Sequence, residues 1–202
     1  MWFAFTKLIL KNMTTIAVVK KDDRIVIAAD TLTMWGSTKE SAAHIENFSK
    51  IVSVHDSYLG FAGSSAYQLV IRHWLAEAEI EPQLHSVEDI FDTFLNLHSQ
   101  LKERYFIREF DDERDPFESS RMNMLIANTS GIFGVTGLRS VTEYKRFSSL
   151  GSGCDYAIGA MQAVYGDDAK SALDIAKVGV EVAAEFDDST GLPIESYEIE
   201  LK

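Results

Sequence analysis

From residue 14 onward, apolar and polar positions alternate in blocks whose period changes along the chain. Thr15-Ile-Ala-Val-Val and Ile25-Val-Ile-Ala-Ala are short, mostly β-branched apolar runs that suit a pleated sheet, and Lys20-Lys-Asp-Asp-Arg24 between them predicts a hairpin turn. Lys50-Ile-Val-Ser-Val-His55 and Tyr58-Leu-Gly-Phe-Ala-Gly63 predict two more strands around Asp56-Ser57. The period then lengthens. Leu69, Val70, Trp74 and Leu75 stripe a helix expected over 66–78; Val87, Ile90, Phe91, Phe94, Leu95, Leu97 and Leu101 stripe a second over 87–101. Ser86 followed by Asp89 reads as the capping box of that second helix. Strands resume at Met122–Ala127, at Gly131–Val135 and, as one further strand, around Val141–Phe147. Helices are expected at 155–165 and 168–186, with a last strand at Ile194–Leu201. The order of blocks predicts an α+β fold, with two antiparallel sheets face to face and a helical layer outside each.

Composition narrows the function. With 202 residues, 46% of them hydrophobic, the chain can bury one sizeable core, so a single domain is expected. A formal charge of -12 argues against a nucleic-acid or anionic-membrane partner, because either requires a basic surface. Cys154 is the sole cysteine, which rules out an intrachain disulfide and fits a reducing, cytoplasmic setting. Residues 1–13 are apolar but interrupted by Lys7 and Lys11, too short to span a bilayer and without the layout of a signal peptide. They read as a pro-segment, or as an upstream extension of a gene that starts at Met13. The acidic stretch with Glu109, Asp111, Asp112, Glu113, Asp115 and Glu118 around Pro116 reads as a solvated loop.

The sequence has no His-Glu-x-x-His, Cys-x-x-Cys, Walker loop or Gly-x-Ser-x-Gly elbow, and its five histidines lack metal-ligand spacing. What remains is a threonine that processing could place first. A threonine hydroxyl is a weak nucleophile without a base beside it. At a chain start its own α-amine, with a pKa of about 7.7–8.0, can be that base. The hydroxyl further needs a positive charge nearby, held by a fixed partner, and Asp30 and Lys50 are the candidates. A hairpin folded at Asp22-Asp23 brings Asp30 to within about one residue of Thr14 across the ladder. Each residue also has a plainer reading. Asp30 alone ends a strand, Lys50 alone is a solvated charge, and Gly63 alone supplies backbone freedom before a helix.

Together these segments resemble proteasome β-type subunits and the bacterial HslV-type protease, which are N-terminal nucleophile hydrolases. The resemblance lies in Met13-Thr14-Thr15-Ile16-Ala17, Ile27-Ala28-Ala29-Asp30, Ser49-Lys50-Ile51, Gly60-Phe61-Ala62-Gly63, Leu150-Gly151-Ser152-Gly153 and Asp187-Asp188-Ser189-Thr190-Gly191. It spans residues 14–202, with the motifs in the family's order, and looks somewhat closer to bacterial proteasome homologues than to HslV-type subunits.

The resemblance implies a four-layer αββα sandwich and a peptidase that works through an acyl-enzyme without a cofactor. Thr14 would be nucleophile and base, Asp30 would hold Lys50, and the Gly63 N–H would stabilise the oxyanion. Ser152, Asp187 and Thr190 would surround the Thr14 amine. Polypeptides would be the substrates, with a homo-oligomeric double ring of six or seven subunits per ring and an ATPase activator as partners. Three departures stand out. The stretch between Asp30 and Lys50 is longer than usual, Tyr67 stands where aspartate is frequent, and Met13 replaces the glycine of self-cleaving subunits. Thr190 keeps a hydroxyl where serine is commoner. Two rivals remain open: a catalytically inactive ring or scaffold subunit of the same fold, and an N-terminal nucleophile amidase acting on small amides.

Overall fold

A computed structural model describes residues 14–77, 81–106 and 117–201. The pro-segment or extension at 1–13, and the acidic residues Glu109, Asp111, Asp112, Glu113 and Asp115, lie outside the described residues.

Strands β1 (Thr15–Lys21) and β2 (Arg24–Asp30) form the expected hairpin. Its register runs from Ile16 opposite Ala29 to Lys21 opposite Arg24, the pairing that a turn at Asp22-Asp23 dictates. Asp22 takes the left-handed conformation there (φ +53°), which aspartate tolerates better than most residues. A small ribbon follows, β3 (Thr33–Trp35) with β4 (Thr38–Glu40), turned at Gly36 with φ +62°. Then come β5 (Ile51–Val54), β6 (Ser57–Ala62) and the helices α1 (Ser65–Glu77) and α2 (Val87–Glu103). The second half holds β7 (Asn123–Ala127), β8 (Ile132–Val135), β9 (Val141–Tyr144), β10 (Phe147–Gly151), α3 (Cys154–Val164), α4 (Ala172–Phe186) and β11 (Ile194–Glu200).

Two expectations change. The single strand around Val141–Phe147 is two strands: the chain breaks at Lys145-Arg146, β9 pairs with β8, and β10 crosses over to pair with β1 in the other sheet. The last long helix begins at Ala172, later than expected. Ser171 accepts from Asp174 N while the Asp174 side chain accepts from Ser171 N, a complete capping box that fixes the start.

The large sheets have the orders β10-β1-β2-β11 and β5-β6-β7-β8-β9. They pack face to face, with α3 and α4 outside the first and α1 and α2 outside the second, which makes four layers. Strand parity sorts the apolar residues into three cores. In the middle, Ile16, Val18, Ile25 and Ile27 meet Ile51, Leu125 and Ile132. Ala17, Val19, Val26 and Ala28 point the other way, against Met161, Ile175, Ala176 and Val180 of the helices. On the far side, Leu59, Phe61, Met124, Ile126 and Phe133 pack on Ile71, Trp74, Ile90, Phe94 and Leu97. Both faces of β1 and β2 are therefore covered, which explains runs that are apolar throughout rather than alternating. Between the sheets, a Cβ on Gly60 would lie 2.8 Å from Ile16 Cγ2, so the absent side chain sets how closely β6 approaches β1. Among the described residues, no helix is long and apolar enough to cross a membrane.

Candidate active site

The topology gathers the candidate residues at one edge of the sandwich. Thr14 precedes β1, and Thr15 lies opposite Gly151 at the end of β10. Asp30 ends β2 opposite Ile194 at the start of β11. Lys50 leads into β5, where its carbonyl accepts from Phe61 N (3.1 Å), two residues before Gly63 at the end of β6. Ser152 follows β10, and Asp187 and Thr190 occupy the link from α4 to β11.

Asp30 is the hub of one half of the site. It is fully buried, and its two oxygens accept five hydrogen bonds. Oδ1 takes the Thr14 hydroxyl at 2.9 Å, the Thr15 N–H at 2.8 Å and the Lys50 ammonium at 2.7 Å. Oδ2 takes the N–H groups of Leu32 at 3.2 Å and Gly191 at 3.0 Å. A buried carboxylate is tolerable only when paired and hydrogen-bonded in this way. Lys50 is 8% exposed. Burial lowers its pKa below the usual lysine range, against the attraction of Asp30 and the weaker pulls of Asp187 and Glu195. The ammonium and the Thr14 hydroxyl thus share a single carboxylate oxygen.

Asp187 is the hub of the other half. Its backbone N–H closes α4 by donating to Ala183 O at 2.8 Å. Its Oδ2 accepts from Ser152 Oγ and from Thr190 Oγ1, each at 2.6 Å. Asp187 therefore ends the helix and organises two hydroxyls besides. Ser152 Oγ is 3.4 Å from Thr14 N, and Thr15 Oγ1 is 2.7 Å from Thr190 Oγ1. Gly63, with φ +133°, turns the chain out of β6, and among the described residues its N–H has no hydrogen-bond acceptor. A donor left open in that position is what an oxyanion site requires.

All seven residues singled out from the sequence (Thr14, Asp30, Lys50, Gly63, Ser152, Asp187 and Thr190) lie at this edge, and hydrogen bonds join six of them in the two groups around Asp30 and Asp187. Four contributors escaped sequence reading. Gly151 has φ +109°, and a Cβ there would fall 2.7 Å from the Thr14 carbonyl carbon, so only glycine fits beside Thr14. The N–H groups of Leu32 and Gly191 act through the backbone and leave no mark in residue type. Thr15 offered one signal, a hydroxyl directly after Thr14 at the head of an otherwise apolar strand. Among the described residues, no three His, Cys, Asp or Glu side chains are grouped to hold a metal ion.

A family model described as proteasome subunit matches residues 10–199. BPH of Thiobacillus denitrificans is 46% identical, over 94% of this chain and 99% of that one, with a TM-score of 0.88. The same protein in complex with epoxomicin matches equally, covering 94% of this chain and 100% of that one. The eukaryotic HslV of Trypanosoma brucei, 21% identical over 93% of this chain and 99% of its own, has a TM-score of 0.63 and shares the fold.

Proposed function

Since the chain belongs to the proteasome subunit family, we propose that it is a threonine-type endopeptidase subunit in which Thr14, freed as the first residue, is nucleophile and base. The observation that carries this reading is the shared Asp30 Oδ1, which holds the Lys50 ammonium and the Thr14 hydroxyl together. While residue 13 is attached, Thr14 N is an amide with no basic lone pair, and the hydroxyl proton turns to Asp30. Removal of residues 1–13 supplies an amine within the same residue. The amine takes the Oγ1 proton, Oγ1 attacks the substrate carbonyl, and the Lys50 charge favours the developing alkoxide. The Gly63 N–H receives the oxyanion, an interaction worth about 3–4 kcal/mol of barrier. The ammonium then protonates the leaving amine, and water, deprotonated by the same amine, releases the acyl group. No step calls for a cofactor.

The substrates we propose are polypeptides, cleaved inside a homo-oligomeric double ring of six or seven subunits per ring with an ATPase as activator. The ring-forming family and the compact, acidic chain support a cytoplasmic assembly of that type.

Fluorogenic peptides test the reading. The processed protein should cleave them, and Thr14→Ala should lose at least 100-fold in kcat/KM, as removal of a nucleophile does, while assembling normally. Residual cleavage above about a tenth of wild type would refute the nucleophile assignment. Epoxomicin, bound by the 46% identical relative, should bind the processed chain and protect it. Intact mass reports whether residues 1–13 are gone; a chain that keeps them points to the inactive ring subunit.

A further inference from the structure

We propose that Thr15 is a positioning residue: its hydroxyl donates into a hydrogen-bond network that converges on Asp187 and, through Ser152, disfavours protonation of the Thr14 amine. The proposal rests on the reading of Thr14 as its own base.

The direction follows from counting protons. A hydroxyl has one hydrogen to donate and two lone pairs to accept with, whereas an ionised carboxylate only accepts. Asp187 Oδ2 stands 2.6 Å from both Ser152 Oγ and Thr190 Oγ1, so each hydroxyl spends its hydrogen there. Thr190 then has none left for Thr15, and across the 2.7 Å contact Thr15 Oγ1 must be the donor. By the same count, Ser152 has none left for the Thr14 carbonyl oxygen at 3.3 Å and meets Thr14 N at 3.4 Å as an acceptor. The donated hydrogens therefore converge on Asp187 from two sides, from Thr15 through Thr190 and from Ser152, whose lone pairs face the amine. Thr15 is fully buried, and its own N–H donates to Asp30, so one residue ties the two halves of the site. The glycine at 153 keeps space for this contact, because a Cβ there would press into Thr15 Oγ1 and lie 3.1 Å from Thr190 Oγ1.

The effect on the amine has a definite sign. Donation from Thr15 makes Thr190 a stronger donor, since linked hydrogen bonds polarise one another. Asp187 then gives less of its charge to Ser152, and Ser152 Oγ is a weaker acceptor for an ammonium. Loss of the Thr15 hydroxyl strengthens that acceptor and favours the protonated amine. The other charged groups around the amine are Asp30 from β2, Lys50 at the head of β5 and, acting on Lys50, Glu195 of β11. All three stay in place when only Thr15 is changed.

The test compares wild type, Thr15→Val, Thr15→Ala and Thr15→Ser, each released from a cleavable fusion with Thr14 first. Two pH profiles are measured: kcat/KM on a fluorogenic peptide, and acetylation of the Thr14 α-amine by acetic anhydride, read by mass spectrometry without turnover. In Thr15→Val both the acidic limb of kcat/KM and the labelling midpoint should move to higher pH by several tenths of a unit. At neutral pH, kcat/KM should fall several-fold. Thr15→Ala should show the same shift, which separates the lost hydroxyl from any strain brought by valine, and Thr15→Ser should restore wild-type behaviour. A labelling midpoint unchanged in both Val and Ala variants, or unrestored by serine, overturns the proposal. A wild type that cleaves no peptide, yet whose labelling midpoint moves in Thr15→Val and Thr15→Ala and returns in Thr15→Ser, sinks the peptidase reading and leaves the role of Thr15 standing.

Discussion

Lys50 carries the balance of forces at the site. Burial favours its neutral form, Asp30 favours the ammonium, and the net effect is a lowered pKa. Under the proposed mechanism the charged form is the useful one. Activity should therefore decline on the alkaline side below the range of an ordinary lysine, and the basic limb of kcat/KM measures where. The folded pKa lies below the unfolded one, so between the two values the unfolded chain binds the extra proton. From Lys50 alone, stability rises with pH through that window. Lys50→Met leaves Asp30 without its cation and should cost about 3–5 kcal/mol, the usual penalty for breaking a buried pair. Its kcat/KM should drop at least 100-fold, an effect of the size expected when an electrostatic stabiliser is lost; near-normal turnover would remove the lysine from the mechanism. Gly151→Ala should be equally damaging for another reason. A methyl group there runs into the Thr14 carbonyl on a backbone with φ +109°, so turnover should collapse, and chemical denaturation should show a loss of about 1–3 kcal/mol.

Elements differ in how plainly they are written in the sequence. The β1–β2 hairpin and its register were readable because the turn residues and two uninterrupted apolar runs leave one good pairing, and that pairing put Asp30 beside Thr14. The helices were readable because a stripe of period near 3.6 is a local signal. The β3–β4 ribbon was not, since Thr33, Met34 and Trp35 are at most half-buried and carry no core-facing pattern. Nor was the break between β9 and β10, because Val141–Phe147 has one β-like composition while its two ends pair in different sheets. The five-bond cradle of Asp30 was half legible: its side chains have types and spacings, its backbone donors have neither. Two changes probe this scale. Ser171→Ala removes the α4 capping box and should cost about 1 kcal/mol, seen as a fall of about 2–4 °C in Tm, with no change in turnover at lower temperature. Gly60→Ala should cost about 1–3 kcal/mol through overpacking against Ile16. Because Ile16 lies two residues from Thr14, kcat should fall as well, whereas an unchanged kcat would mean that β6 yields and β1 does not.

At the scale of the molecule, the outer helices still show apolar side chains. Leu69, Phe91 and Leu95 are exposed on α1 and α2; Tyr156, Ile158 and Phe186 are exposed on α3 and α4. Tyr156 and Phe186 form a ring pair with centroids 5.7 Å apart. On a chain of net charge -12, clustered apolar groups are the natural contacts between copies in the proposed ring. The double variant Tyr156→Glu/Phe186→Glu should run at lower mass than wild type in size exclusion with light scattering, with unchanged circular dichroism. An unaltered mass would remove this face from the assembly. The position of β1 has one more consequence. It lies between two strands in its sheet and between two cores, so the strand that carries the proposed nucleophile cannot loosen without opening the interior. Amide protons of Val18 and Val19 should exchange with deuterated solvent only through global opening. Heat should then extinguish turnover and melt the subunit in a single event, with no earlier stage at which the enzyme is folded but silent.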